Sequence, residues 1–184
     1  NNWAGGQGAF AAGGGNSAFG LFSVALGRLN TAIGAYSFAA GDSTSSTANY
    51  AASFGSNSTA GGAASFAAGY QVRALGGSSV AFGQDSVATG LYSFAGGLVS
   101  TSTANSAFAY GNNVTARGTS AFAAGDHSGA LGNYSTAIGY YNYANGANSV
   151  ALGQNMTVAG SGSVGINLTA DVRTFSADNV SSLI

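Results

Sequence analysis

Between Gly6 and Gly160 the chain alternates small and bulky residues in a unit of seven that closes on glycine, as in Ser23-Val24-Ala25-Leu26-Gly27. Of the 23 positions at 6, 13, 20 and onward in steps of seven, 21 are Gly, with Ala48 and Ala104 as the exceptions. Two places before that position alanine is the rule, broken only at Ser46, Ser53, Ser102 and Val158. Residues of one parity share a strand face, so the alternation predicts a short strand. Its bulky positions are expected to be buried, and its Ala, Ser and Gly positions to face outward. The pair that follows each glycine, such as Arg28-Leu29 and Asp42-Ser43, reads as a corner. A helix is excluded, because glycine in every heptad would cost ~1 kcal/mol each against alanine.

The heptads come in two kinds, so the structural unit is a pair of heptads. One kind carries the large apolar groups Phe10, Val24, Phe38, Phe54, Phe66, Val80, Phe94, Phe108, Phe122 and Ile138. The other is more polar, as in Ser45 with Thr47, Thr101 with Thr103 and Tyr143 with Asn145. The expected fold class is all-β: a parallel β-roll or solenoid of 14-residue coils, two short strands and two corners per coil, with the bulky groups between two sheets. The glycines are expected to serve close approach at some corners and positive φ at others. A face restricted to Ala, Ser and Gly permits another backbone to come near. It is therefore expected to pack on sister chains about an axis, with a homotrimer the simplest closure.

Composition narrows the function. Charged residues make up 5% of 184, the net charge is −1, and the chain has no Pro and no Cys. Nucleic acid binding needs a basic surface, so no nucleic acid partner is expected. No apolar run is long enough for a membrane helix, so no direct membrane insertion by this segment is expected. Missing proline fits a chain whose strand N–H groups nearly all pair coil to coil. The start, Asn1-Asn2-Trp3, lacks a signal peptide's features, so a leader has been removed or the chain is a piece of a larger one. Arg73 and Arg117 fall on positions expected to face inward, where an unpaired guanidinium is costly.

Catalytic chemistry is thin. Asp126, His127 and Ser128 supply the residue types of a hydrolytic triad, but neighbours on one corner are not expected to take up its geometry. The five Asp lack calcium-loop spacing, and Gly13-Gly14-Gly15 lacks the Lys-Ser/Thr of a phosphate loop. No enzyme, cofactor or metal site is expected. Tyr70, Tyr92, Tyr134, Tyr140 and Tyr141 sit at corners and are the candidate surface-contact residues, since tyrosine offers a flat apolar body with a hydroxyl.

Ser23-Val24-Ala25-Leu26-Gly27, Ser79-Val80-Ala81-Phe82-Gly83, Ser135-Thr136-Ala137-Ile138-Gly139 and Ser149-Val150-Ala151-Leu152-Gly153 resemble the head repeat of trimeric autotransporter adhesins. The resemblance covers about residues 2–160. It implies a left-handed parallel β-roll, three rolls about a common axis, and display on the outer membrane of Gram-negative bacteria. It also implies binding to a host surface protein or glycan. Similar repeats occur in phage tail fibres, so a virion is the second expected location. Residues 1–160 are expected to form the roll, and residues 161–184 a cap, neck or subunit-joining segment. An end-to-end extracellular filament is the alternative function and an ice-binding solenoid the third. The column of Asn, Val, Ser and Met156, taken as outward, is too mixed for ice.

Overall fold

The computed structural model describes residues 1–169, 171–175 and 181–183. It is an all-β parallel solenoid of 14-residue coils, with no helix among the described residues. The chain divides into two compact units, Asn1–Tyr92 and Ser93–Ile184.

In the first unit five-residue strands such as Val24–Arg28, Phe38–Asp42 and Phe66–Tyr70 alternate with two-residue strands such as Thr31–Ala32 and Thr59–Ala60. Each pairs in parallel with the equivalent strand of the next coil, as in Val24↔Phe38 and Gly27↔Gly41. The second unit begins likewise, with Phe94–Leu98, Phe108–Asn112 and Phe122–Asp126. Thr136–Ala144 and Val150–Val158 then run as nine-residue strands through a corner. Beyond Gly160 parallel pairing continues. Val164 keeps the regular spacing in pairing with Val150, but Arg173 pairs with Met156 and Ser181 with Val164, so the final coil is longer than those before it.

The two faces are the reverse of the expectation. In the first unit Ala25, Ala39, Ala67 and Ala81 are fully buried, as are Ala95, Ala109, Ala123 and Ala137 in the second. Phe10 is 57% exposed, Phe66 40% and Ile138 40%. The physical reason is width. Two-residue corners and a two-residue strand enclose a narrow section, and where the two strand walls face each other there is room for little more than methyl and hydroxymethyl groups. Ordinary sheets stand ~10 Å apart with large residues between them; here the large residues have no place but outside. The small wall is therefore each coil's own interior, with Ala18, Ala25, Ala32 and Ala39 forming one such cluster. It is not the surface on which sister chains meet. The outward rings pack along the surface instead. Phe38 and Phe54 lie 5.2 Å apart, and Phe94 and Phe108 stack at 4.5 Å and 5°.

The column of Asn, Val, Ser and Met156 is interior too. Asn16, Asn30 and Thr44 in the first unit, and Ser128, Asn142 and Met156 in the second, are buried. Asn30 donates through Nδ2 to the carbonyls of Leu26 (2.6 Å) and Gly41 (2.7 Å). Its Oδ1 accepts from the Thr44 amide (2.8 Å) and hydroxyl (2.7 Å). The column thus satisfies carbonyls that the corner strips from the sheet ladder. Arg73 and Arg117 likewise depart from the expectation, because both are exposed on the outer face of the short strands.

The corners follow a strict rule. Among the described residues, twenty non-glycine residues have φ between 51 and 61°, at every seventh position from Phe22 to Asn155. Each lies two places after the repeat position. Most donate their N–H to a carbonyl at the same edge of the preceding coil, as Leu29 does to Gly14 (2.9 Å) and Tyr134 to Thr119 (2.8 Å). This bond holds a backbone region that costs an L-residue ~1–2 kcal/mol. The repeat glycines divide as expected. Gly27 has φ +110°, whereas Gly20 has no positive φ but a Cβ there would overlap the Gly34 carbonyl. Ala48 and Ala104 belong to the second set. Gly20 shares the Ala32 carbonyl (3.3 Å) with Phe19 (2.8 Å). At the alanine corners Thr47 and Thr103 keep the equivalent bond (3.0 Å each), without the second.

Candidate functional site

A solenoid offers a function its outer faces and its edges. The long strands present the apolar face. In the first unit it carries Phe10, Val24, Leu26, Phe38, Phe54 and Phe66, all exposed or half-buried. In the second it carries Phe94, Phe108, Phe122, Ile138, Val150 and Leu152. Size alternates along each strand, Phe-Ala-Ala in Phe38–Asp42 beside Val-Ala-Leu in Val24–Arg28, which gives the face ridges and hollows. Patches of this breadth on a soluble protein mark interaction surfaces.

The five tyrosines fall on both edges of the coil. In the first unit Tyr70 ends Phe66–Tyr70 on one edge, and Tyr92, 70% exposed, is the left-handed residue of the other. In the second unit Tyr134 takes the Tyr92-type corner (φ 58°), and Tyr140 and Tyr141 take the opposite one. Only Tyr140 and Tyr141 are brought together, ring centroids 4.6 Å apart at 80°. Tyr141 also stacks on His127 at 4.6 Å and 12°. The richest aromatic edge was not among the candidates. Phe22, Tyr36 and Tyr50 stack in a column at 5.6 and 5.3 Å, each a left-handed corner residue. Their recurrence at one phase of successive coils was the signal that shows it.

The charged groups are few. Arg28 pairs with Asp42 one coil on at 2.5 Å, and this hydrogen bond lowers the Asp42 carboxyl below its usual range. His127 Nδ1 contacts Asp126 Oδ1, so these neighbours do meet. Ser128, however, is buried and its hydroxyl donates to the carbonyl of Gly139 (3.0 Å), away from the imidazole. Among the described residues no three His, Cys, Asp or Glu side chains gather as metal ligands.

A parallel β-solenoid of this kind, with apolar groups along its long strands and aromatics along its edges, is a repeat protein. Residues 4–29, 74–98 and 130–155 match the family model described as "YadA head domain repeat (2 copies)". These matches and the parallel β-solenoid are together consistent with a YadA-like head domain. That family is generally non-enzymatic and implies bacterial surface display; nothing in the match supports a virion. No curated protein matches the chain.

Proposed function

We propose that this chain is the head of a homotrimeric adhesin displayed on a bacterial surface, without catalytic activity. It would hold host surface proteins or glycans through its outward edges. The observation that carries the reading is the apolar long-strand face. Each large aromatic buries 150–250 Å² when covered, and the face presents such residues on most of its coils. Three copies meeting there about one axis would cover that face. The short-strand face and the corners, with Tyr70, Tyr92, Tyr134, Tyr140 and Tyr141, remain outside and are repeated three times. Many weak contacts then sum by avidity.

The test is adhesion. Beads coated with the purified chain are expected to adhere to matrix- or glycan-coated surfaces, and beads carrying the Phe38→Asp/Phe108→Asp double variant to detach. Equal adhesion by a variant shown to be a single chain in solution overturns the trimeric reading. Absence of adhesion by the wild type to any such surface overturns the adhesin reading.

A further inference from the structure

The short-strand face of the second unit carries a built depression. Its outward column reads Thr101, Thr115, Gly129, Tyr143, Thr157. Gly129 leaves a gap in it, and the Tyr143 ring leans over that gap. A Cβ at 129 would stand 3.0 Å from Tyr143 Cδ1 and 3.3 Å from Cε1. One side of the ring borders a recess of about 180 Å³ that includes Asn113, Thr115, Arg117 and Ser128. The other side borders a second recess of about 200 Å³, with Tyr141, Asn155, Met156 and Val172. Tyr143 is the ridge between them.

The two recesses differ in chemistry. The first is polar and holds the exposed guanidinium of Arg117, which has no ion-pair partner among the described residues, and no carboxylate lines it. The second is walled by two phenol rings and an isopropyl group, beside Asn155 and Thr157. Both lie below the ~300 Å³ at which drug-sized pockets begin, so each suits one small ring, and their adjacency suits two linked ones. A guanidinium beside hydroxyl and amide groups favours a carboxylate carried on a polyol. Tyrosine rings favour the C–H face of a saturated ring. A peptide would gain most by adding to a strand edge, but here the strands are already paired. Arg117 N donates to Ala130 O and Leu131 N to Ala144 O, at 2.9 Å each.

We propose that the double recess at Arg117, Tyr143 and Tyr141 is a glycan site, taking a carboxylated pyranose beside Arg117 and the next sugar over Tyr141 and Tyr143. The inference deepens the adhesin reading and rests on it for the class of partner, but needs no particular oligomer. Sialic and uronic acids share this chemistry, and the test separates them.

Saturation-transfer NMR and calorimetry of the full chain are run with sialyllactose, a hyaluronan tetrasaccharide, neutral lactose and a poly-glutamate peptide. At least one acidic sugar is expected to bind, with signal strongest on pyranose C–H protons, and lactose at least tenfold more weakly. Arg117→Gln and Tyr143→Ala are each expected to weaken binding tenfold or more, with circular dichroism and native mass unchanged. Arg73→Gln, on the same face of the other unit, is expected to change nothing. Binding of neither acidic sugar, equal binding of lactose, indifference to Arg117→Gln, or tighter binding of the peptide overturns the assignment. If coated beads adhere while both acidic sugars fail, the recess assignment falls and the adhesin reading stands.

Discussion

At the scale of the residue, size decides more than hydrophobicity. Ala25 is buried and Phe10 is not, because the section between the strand walls at that position has no room for a phenyl ring. Ala25→Leu is expected to destabilise by at least ~1–3 kcal/mol, the usual range for overpacking, read from urea unfolding. A neutral result would mean that the interior has room to spare. Ser23, Ser37 and Ser65 share one interior column, and their hydroxyls lack partners. Ala51 takes the equivalent place in the coil after Ser37 and is buried just as well. Ser37→Ala is therefore expected to stabilise by ~1 kcal/mol, at the low end of an unsatisfied buried polar group's cost. Loss of stability would show that the hydroxyl is bonded. Gly27→Ala, at φ +110°, is expected to be destabilising in the same assay by ~1–2 kcal/mol or more.

At the scale of the element, each coil is held by the one before it. The interior asparagines are one device. Removing Asn30 leaves the Leu26 and Gly41 carbonyls and the Thr44 amide to find new partners. The Arg28–Asp42 pair is the outer device, and its effect depends on pH. The Asp42 carboxyl is depressed by the Arg28 hydrogen bond. The stability it adds is thus present above the unfolded value of about 3.9 and lost as pH falls through the lower folded value. Both side chains are solvated, so the gain is small and screened by salt. Melts between about pH 2 and pH 7 are expected to show Asp42→Asn with a shallower acid limb than wild type. Identical limbs would remove the pair from the account.

The strand, corner and paired-heptad coil were all legible in the sequence, because period and parity are properties of the chain alone. The sign of the parity was not. Apolar side chains normally face inward, and that rule put Phe38 inside and Ala39 out. The glycine at nearly every corner and the two-residue linkers carried the correction, since a coil so tightly turned has no width for phenyl rings. With the sign reversed, Arg73 and Arg117 moved from costly interior places to the surface. The interior asparagine column, read as outward, became the coil's own hydrogen-bond lining. Among candidate site residues, Tyr140 and Tyr141 were legible as neighbours. Tyr143 was not, because its polar strand was expected to face the interior.

At the scale of the whole molecule, the proposed trimer would cover the apolar face of stacked rings on a chain with 5% charged residues. The coil interior is closed and offers no contact surface, and the proposal assigns association to the long-strand face. Phe38→Asp and Phe108→Asp each place a carboxylate in that face, with a desolvation cost of several kcal/mol if it is buried unpaired. Neither touches the coil interior. Each variant is therefore expected to keep its β-type circular dichroism and lose its partners; a variant that stays associated would place the contact elsewhere.

The most direct measurement is the native mass of the wild-type chain at micromolar concentration. The account predicts a species of three times 17.7 kDa, reduced to the mass of one chain by Phe108→Asp. A wild-type protein that remains a single 17.7 kDa chain, with its phenylalanine face in water, would contradict it.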